Sequence, residues 1–403
     1  MKLLSLFLMA VLFTSVANAQ QIEAKQLKKH IEVLASDKLE GRGTGTTGEH
    51  LAADYLIKQF KHLGLVAKGT DGYKQSFSAK IDSAHQTQAA NVVAYLDNGA
   101  ARTVVIGAHY DHLGTGEQSG SLDPNPKGKI HNGADDNASG VSGVLELARY
   151  FAKNGVKEQQ NFLFICFSGE ELGLLGSKYY ANNPTINLAT VNYMINLDMI
   201  GRYDDTKGIT IGGYGTTPTW GQVIPSLAAQ ANMKFRADST GAGPSDHTSF
   251  YLKNLPVLFF FTGVHGDYHK PSDDANLINT EGEAKVLSLI TSIVNTTDKA
   301  DKLTFRSTGM PSTGGGRTRF KVTLGLLPDY SFNGPGLKID GVTDNRPAQK
   351  AGIKAGDLLI RIGEVTLNTI QDYMKALGTF DKGQTVEAEI QRGQQRITLP
   401  VTF

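Results

Sequence analysis

Four apolar segments narrow the fold of this chain more than any other feature. They are TVVIGAHY (103–110), NFLFICFS (161–168), VNYMINLDMIG (191–201) and LPVLFFFTG (255–263). Short runs in which consecutive residues are all apolar, rich in Val, Ile and Phe, read as strands buried on both faces. Between them lie segments with helical periodicity: VSGVLELARYFA (141–152), ELGLLGSKYYA (171–181), and residues 219–231 and 281–294. Two further helices at residues 22–35 and 47–63 and a strand at NVVAYL (91–96) precede the first run. Apolar strands interleaved with amphipathic helices predict an α/β domain with a mostly parallel mixed sheet and helices on both faces.

The polar residues fall where such strands end. TVVIGA runs into His109-Tyr110-Asp111-His112, NFLFICFS into Gly169-Glu170-Glu171, and YMINL into Asp198; VLFFFTG is followed by His265 and His269. Sites in sheets of this kind form at the carboxyl ends of the strands. A Gly-bounded loop before a helix, HNGADDNASG (131–140), adds the adjacent pair Asp135 and Asp136. Histidine and carboxylate ligands without cysteine suit zinc or a similar divalent ion. His109, Asp135, Glu171, Asp198 and a histidine of the 265–269 segment would give two ions two terminal ligands each, with Asp135 shared; spacing leaves His265 and His269 open. Asp111 would accept the second ring N–H of His109. Glu170, left over beside Glu171, has the place of a general base. His112 and His131 read as rim residues, and His30, His50, His62 and His85 as surface. The glycine-rich stretch GRGTGTTG (41–48) lacks the Lys-Ser/Thr of a phosphate loop and reads as a flexible approach to the second helix.

GAHYDHLG (107–114), GADDNASG (133–140), FSGEELGLLGS (167–177), NLDMIG (196–201) and YHKPSDD (268–274) resemble, in order, the five motifs of the M28 family of dinuclear zinc aminopeptidases. The resemblance implies two Zn2+ ions, one held by His109 and Asp198, the other by Glu171 and His269, with Asp135 bridging. It implies Glu170 as the base and a cis peptide between Asp135 and Asp136. SDHTSF (245–250) is similar to a family segment near the substrate pocket, which makes Asp246 and His247 supporting or substrate-contacting residues. Neither an inserted protease-associated domain nor the long insertions of the glutamate carboxypeptidase branch has room, which favours a compact aminopeptidase. Glutaminyl cyclisation on the same fold, with one zinc, and a non-catalytic peptide-binding protein are the alternatives.

Residues 1–19 carry one Lys, an apolar centre and a small-x-small end at Ala17 and Ala19, a signal-peptide pattern that predicts export to the periplasm or medium without stable membrane insertion. The one cysteine, Cys166, falls in an apolar strand, so no disulfide framework is expected. A net charge of +1 gives no basic excess for nucleic acid. The peptidase domain is expected over 20–301 and a flexible Gly/Ser/Thr-rich linker over 302–318. Residues 319–403 alternate short strands with one helix. Within them NRPAQKAGIKAGDLLIRIGEVTL (345–367) resembles the signature of PDZ domains, which bind peptides by strand addition. The segment that would face such a ligand, LGLLPDY (324–330), departs from the usual Gly-Leu-Gly-Phe form. Expected partners are peptide substrates and a peptide or protein ligand of the tail.

Overall fold

The computed structural model describes residues 21–81, 85–117, 120–308, 322–328, 332, 334–342, 346–368 and 370–403. The signal-peptide pattern and residues 309–318 of the expected linker lie outside them.

The first domain opens with helices α1 (Ala24–Leu34) and α2 (Thr47–His62), then strands β1 (Val66–Ala67), β2 (Lys74–Lys80), β3 (Gln86–Leu96) and β4 (Thr103–His109). Next come α3 (Gly140–Lys153), β5 (Asn161–Phe167), α4 (Leu175–Asn182), β6 (Val191–Leu197) and β7 (Ile209–Gly212). The domain closes with α5 (Pro218–Gln230), β8 (Phe235–Ala237), α6 (His247–Tyr251), β9 (Val257–Phe261) and α7 (Thr280–Thr297). The sheet order is β1-β3-β5-β4-β6-β9-β7-β8, with β2 on the free side of β3. The centre, β5-β4-β6-β9, is parallel, and antiparallel pairs flank it. The apolar runs are explained by burial on both faces. Val104, Ile106, Phe162 and Phe164 pack under α1, α2, α3, α5 and α7, whereas Val105, Leu163 and Ile165 pack under α4 and α6. Successive side chains alternate between the two layers, so apolar residues fill both sets and the few polar ones, such as Asn192 and Asn196 of β6, are hydrogen-bonded.

Three sequence expectations change. His30 is buried on α1, its Nδ1 2.7 Å from the Tyr55 hydroxyl of α2, because that face of α1 carries Leu27, Ile31 and Leu34 into the core. Residues 41–48 form a packed bracket, with a bridge between Gly43 and His112. Residues 302–308 are not a flexible linker. Leu303 is buried, Phe305 packs on Tyr251, and the Arg306 amide donates to the Thr216 carbonyl at 2.7 Å. Two apolar side chains are enough to strap this stretch down.

The tail has its own sheet and core. Strands β10 (Leu326–Pro328), β11 (Leu337–Val342), β12 (Leu358–Ile362), β13 (Val365–Thr366), β14 (Thr385–Arg392) and β15 (Gln395–Thr402) accompany helices α8 (Pro347–Lys350) and α9 (Ile370–Leu377). Leu324, Ile339, Leu359, Ile362, Ala388 and Ile390 are buried together. Strand structure begins at Leu326, and residues 322–325 before it are not in a strand. Asp329 and Tyr330 of LGLLPDY lie outside the described residues. No helix among the described residues is long and apolar enough to cross a membrane.

Candidate metal centre

Four strands deliver side chains to one rim. His109 is the last residue of β4, Glu170 and Glu171 follow β5, Asp198 follows β6, and His269 lies on the loop after β9. Asp136 comes from the turn before α3. That turn needs Gly133, at φ +55°, where an added Cβ would lie 2.1 Å from the Asp136 carbonyl and 2.5 Å from the His112 ring.

His109 Nε2 lies 3.4 Å from Asp136 Oδ1 and 3.5 Å from Asp198 Oδ1. His269 Nε2 lies 3.2 Å from Asp136 Oδ2 and 3.3 Å from Glu171 Oε2. These two sets share one carboxylate, one oxygen to each side. Ligands about 2.0–2.1 Å from a tetrahedral ion sit about 3.3 Å from one another, so both sets have the spacing of a zinc-like coordination shell. His112 Nδ1, at 2.7 Å from Glu171 Oε1, is at hydrogen-bond distance and too close for a second ligand of one ion. Although His112, Asp136 and Glu171 also converge, the His269 set fits an ion better.

The shared carboxylate is therefore Asp136, where the sequence reading placed Asp135. The Asp135 carboxylate is spent elsewhere: Oδ1 accepts from the Gly201 amide at 2.7 Å and Ser139 Oγ at 3.1 Å, and Oδ2 faces His265 Nε2 at 3.1 Å. The cis peptide lies between Asp136 and Asn137, one bond later than expected. His265 is thereby separated from His269: it braces Asp135, and His269 enters the cluster.

Asp111 supports His109 differently from expectation. His109 Nδ1 faces the Asp111 main-chain carbonyl at 3.2 Å, with the carboxylate at 3.8 Å. That carboxylate instead accepts from the Glu170 amide at 3.0 Å, the Glu171 amide at 3.4 Å and Thr44 Oγ1 at 2.9 Å, which fixes the pair of glutamates. Glu170 Oε2 lies 4.0 Å from His109 Nε2 and joins neither set at the shorter spacing.

Several supports were not legible in the sequence. Arg42 is fully buried and donates to the carbonyls of Tyr110 (2.8 Å), Asn132 (2.7 Å) and Gly133 (3.0 Å), pinning the loops that carry His109 and Asp136. Asp273 Oδ2 accepts from the amides of Asp135 and Asp136 at 2.9 and 3.0 Å. Ser245 Oγ donates to Asp198 Oδ2 at 2.7 Å. Asp246 and His247, which the sequence offered as supporting or substrate-contacting residues, are buried. His131 is held by Ser121 Oγ at 2.7 Å and does not approach the cluster. Arg42, Met199 and His269 all take positive φ, at 49°, 52° and 56°. Residues held in this sparsely populated region concentrate where a site over-determines the backbone.

The electrostatics also suit a cation. Burial pushes the Glu170 carboxyl well above the usual range, helped by Asp246, Glu171 and Asp198 against the opposing pull of His109. Burial opposes protonation of His109, but Glu170, Asp136 and Asp198 outweigh it and hold the imidazolium well above its ordinary range. A site that draws protons onto its histidines is one whose carboxylates seek positive charge. The residues present thus fit divalent metal binding.

The cluster forms one wall of a cavity of about 830 Å³ that also takes in Met199, Phe259, Phe261, Val264 and Tyr268. Tyr268 stacks on His269 with ring centres 3.9 Å apart.

This α/β sheet with its histidine and carboxylate cluster at the strand ends defines the zinc-exopeptidase class of fold. Residues 91–294 match Peptidase family M28, and the chain belongs to that family. Residues 317–403 match the PDZ domain. The chain is 28% identical over 259 residues to leupeptin-inactivating enzyme 1 of Streptomyces exfoliatus, covering 63% of this chain and 52% of that one. It is 31% identical over 212 residues to aminopeptidase YwaD of Bacillus subtilis, covering 49% and 42%. The chain thus matches about half the length of these relatives. Among solved structures, a Zn-dependent exopeptidase from Parabacteroides distasonis superposes with a TM-score of 0.58 at 19% identity, covering 68% of this chain and 99% of that one. Porphyromonas gingivalis glutaminyl cyclase superposes with a TM-score of 0.57 at 22% identity, covering 69% and 100%. These likenesses show a shared fold.

Proposed function

We propose that this protein is a metal-dependent aminopeptidase that removes N-terminal residues from peptides, with two Zn2+ ions. The observation that carries the reading is the Asp136 carboxylate, whose two oxygens face His109 on one side and His269 on the other. His109, Asp198 and Asp136 would hold one ion, and Asp136, Glu171 and His269 the other. When bound, the ions supply Lewis acidity to the scissile carbonyl and to the attacking water.

The rest falls to the chain. Glu170 takes a proton from the attacking water at a carboxylate oxygen and returns it to the departing amine. Burial, with Asp246, Glu171 and Asp198 nearby, raises its affinity for that proton above that of an ordinary glutamate. Asp111 orients Glu170 through its amide. The acidic rim attracts the substrate's free ammonium group, and the apolar wall of Phe259, Phe261 and Val264 receives a side chain while excluding water.

The fold is equally that of glutaminyl cyclases, but a bridging carboxylate with terminal ligands on both sides favours the two-ion hydrolase. Release of free amino acids from peptides with free and acetylated N-termini tests the reading. Cleavage of the free series alone, abolished by chelation and restored by zinc, is expected. Chelator-resistant hydrolysis, or cyclisation of N-terminal glutamine as the sole activity, would overturn it. The pattern of residues 1–19 supports export, and the tail's match to the PDZ domain supports a peptide ligand there.

A further inference from the structure

The cavity runs on from the cluster across the outer strands. Phe259 and Phe261 of β9 share one face, as residues two apart on a strand do, and their rings stack 5.7 Å apart. The register sets Phe261 opposite Thr210 and Phe259 opposite Gly212 on β7, and Thr210 opposite Arg236 on the edge strand β8. Strand β7 therefore offers the cavity only small groups. At Gly212 an added Cβ would lie 3.1 Å from the Phe259 ring, so a larger residue would crowd the floor. Met199, Phe259, Gly212, Thr210 and Arg236 all line the one cavity. Three strand spacings separate β6 from β8, a lateral distance of about 14 Å.

Arg236 is exposed to this space and, among the described residues, makes one hydrogen bond, from Nη2 to the neutral hydroxyl of Thr210 at 3.1 Å. A guanidinium carries five N–H donors and matches a carboxylate two at a time. Asp238, two residues on and also at the cavity, is already engaged: its Oδ1 accepts from the Thr240 amide and hydroxyl at 3.0 and 2.8 Å. The acidic end of the cleft is thus opposed, across an apolar floor, by a cation with donors to spare.

We propose that Arg236 receives a carboxylate of the substrate, so that the enzyme favours peptides with an anionic group close to the N-terminus. This rests on the aminopeptidase reading above. The carboxylate has two sources: the side chain of an N-terminal Glu or Asp, or the terminal carboxylate of a dipeptide, whose backbone extends about 7 Å. Either, met by an extended arginine, spans the distance from the cluster to β8.

The test uses the zinc-loaded full chain as wild type, Arg236→Gln and Arg236→Lys. The substrates are tetrapeptide amides beginning with Glu, Gln or Lys, and Leu-Ala as free acid and as amide. Ratios of kcat/KM within each protein remove differences in overall activity. In the wild type either the Glu/Gln ratio or the acid/amide ratio should stand at about tenfold, mainly through KM, the scale of one charge-assisted contact at a partly exposed site. The first would assign the side chain, the second the terminus. The raised ratio should fall to near one in Arg236→Gln and recover in part in Arg236→Lys. Ratios that are unchanged in Arg236→Gln would overturn the proposal, as would a wild-type preference for Lys over Gln, which would give the far side of the cleft to Asp238. No cleavage of any peptide by the wild type would overturn the aminopeptidase reading itself, and this one with it.

Discussion

Asp135 and Asp136 are neighbours of the same residue type and both buried, yet only Asp136 faces two histidines. Asp136→Asn should therefore cost more metal than Asp135→Asn. Zinc retained after dialysis, measured by elemental analysis, is expected to fall below one equivalent in the first, while the second keeps more than one. Equal losses would return the bridging role to the pair as a whole. Glu170→Gln should keep the metal and lower kcat by roughly 10²–10⁴, the range for a lost general base. The sequence pointed to the strand ends whose residues converge in the cluster, because a buried strand tolerates unpaired polar residues best where it leaves the core. It could not show which of two adjacent aspartates points inward, since that depends on one backbone bend. Nor could it single out Arg42, whose role comes from carbonyls of two loops far from it in sequence, Tyr110 on one and Asn132 and Gly133 on the other.

At the scale of elements, α1 and α2 are joined by a buried histidine. Burial, with Lys29 and Arg149 nearby, lowers His30 to about 4 from an ordinary 6.5. The unfolded chain takes up this proton first on acidification, so the contribution is lost as pH falls from 6.5 toward 4. The loss amounts to at most about 3 kcal/mol. Denaturant melts of wild type and His30→Gln between pH 7 and 4 should show the wild type losing more stability; parallel curves would refute it. The strap after α7 is a second such element. Leu303→Ala should lower stability by roughly 2–3 kcal/mol, a buried-leucine truncation at a site near the surface, and a loss under 0.5 kcal/mol in the same melts would mean residues 302–308 are not held. Periodicity revealed the long helices and apolar strands. It missed β2, β7, β8 and α6, which are short or half exposed and so carry weak patterns.

For the whole molecule, the buried residues of the tail form a set separate from those on the two faces of the nine-stranded sheet. Calorimetry of the full chain should show two transitions. Zinc at a hundredfold excess over its Kd should stabilise only the peptidase one, by about 2.7 kcal/mol for the first site filled, and a shift of both would contradict this. Under the two-ion proposal, the shared carboxylate has a consequence for how the ions would arrive. Asp136 cannot serve one side without fixing its orientation and charge for the other, so the two occupancies are thermodynamically linked, each changing the other's affinity by the same factor. With two ions, the loading curve would be a single cooperative or anticooperative isotherm, not the sum of two independent ones.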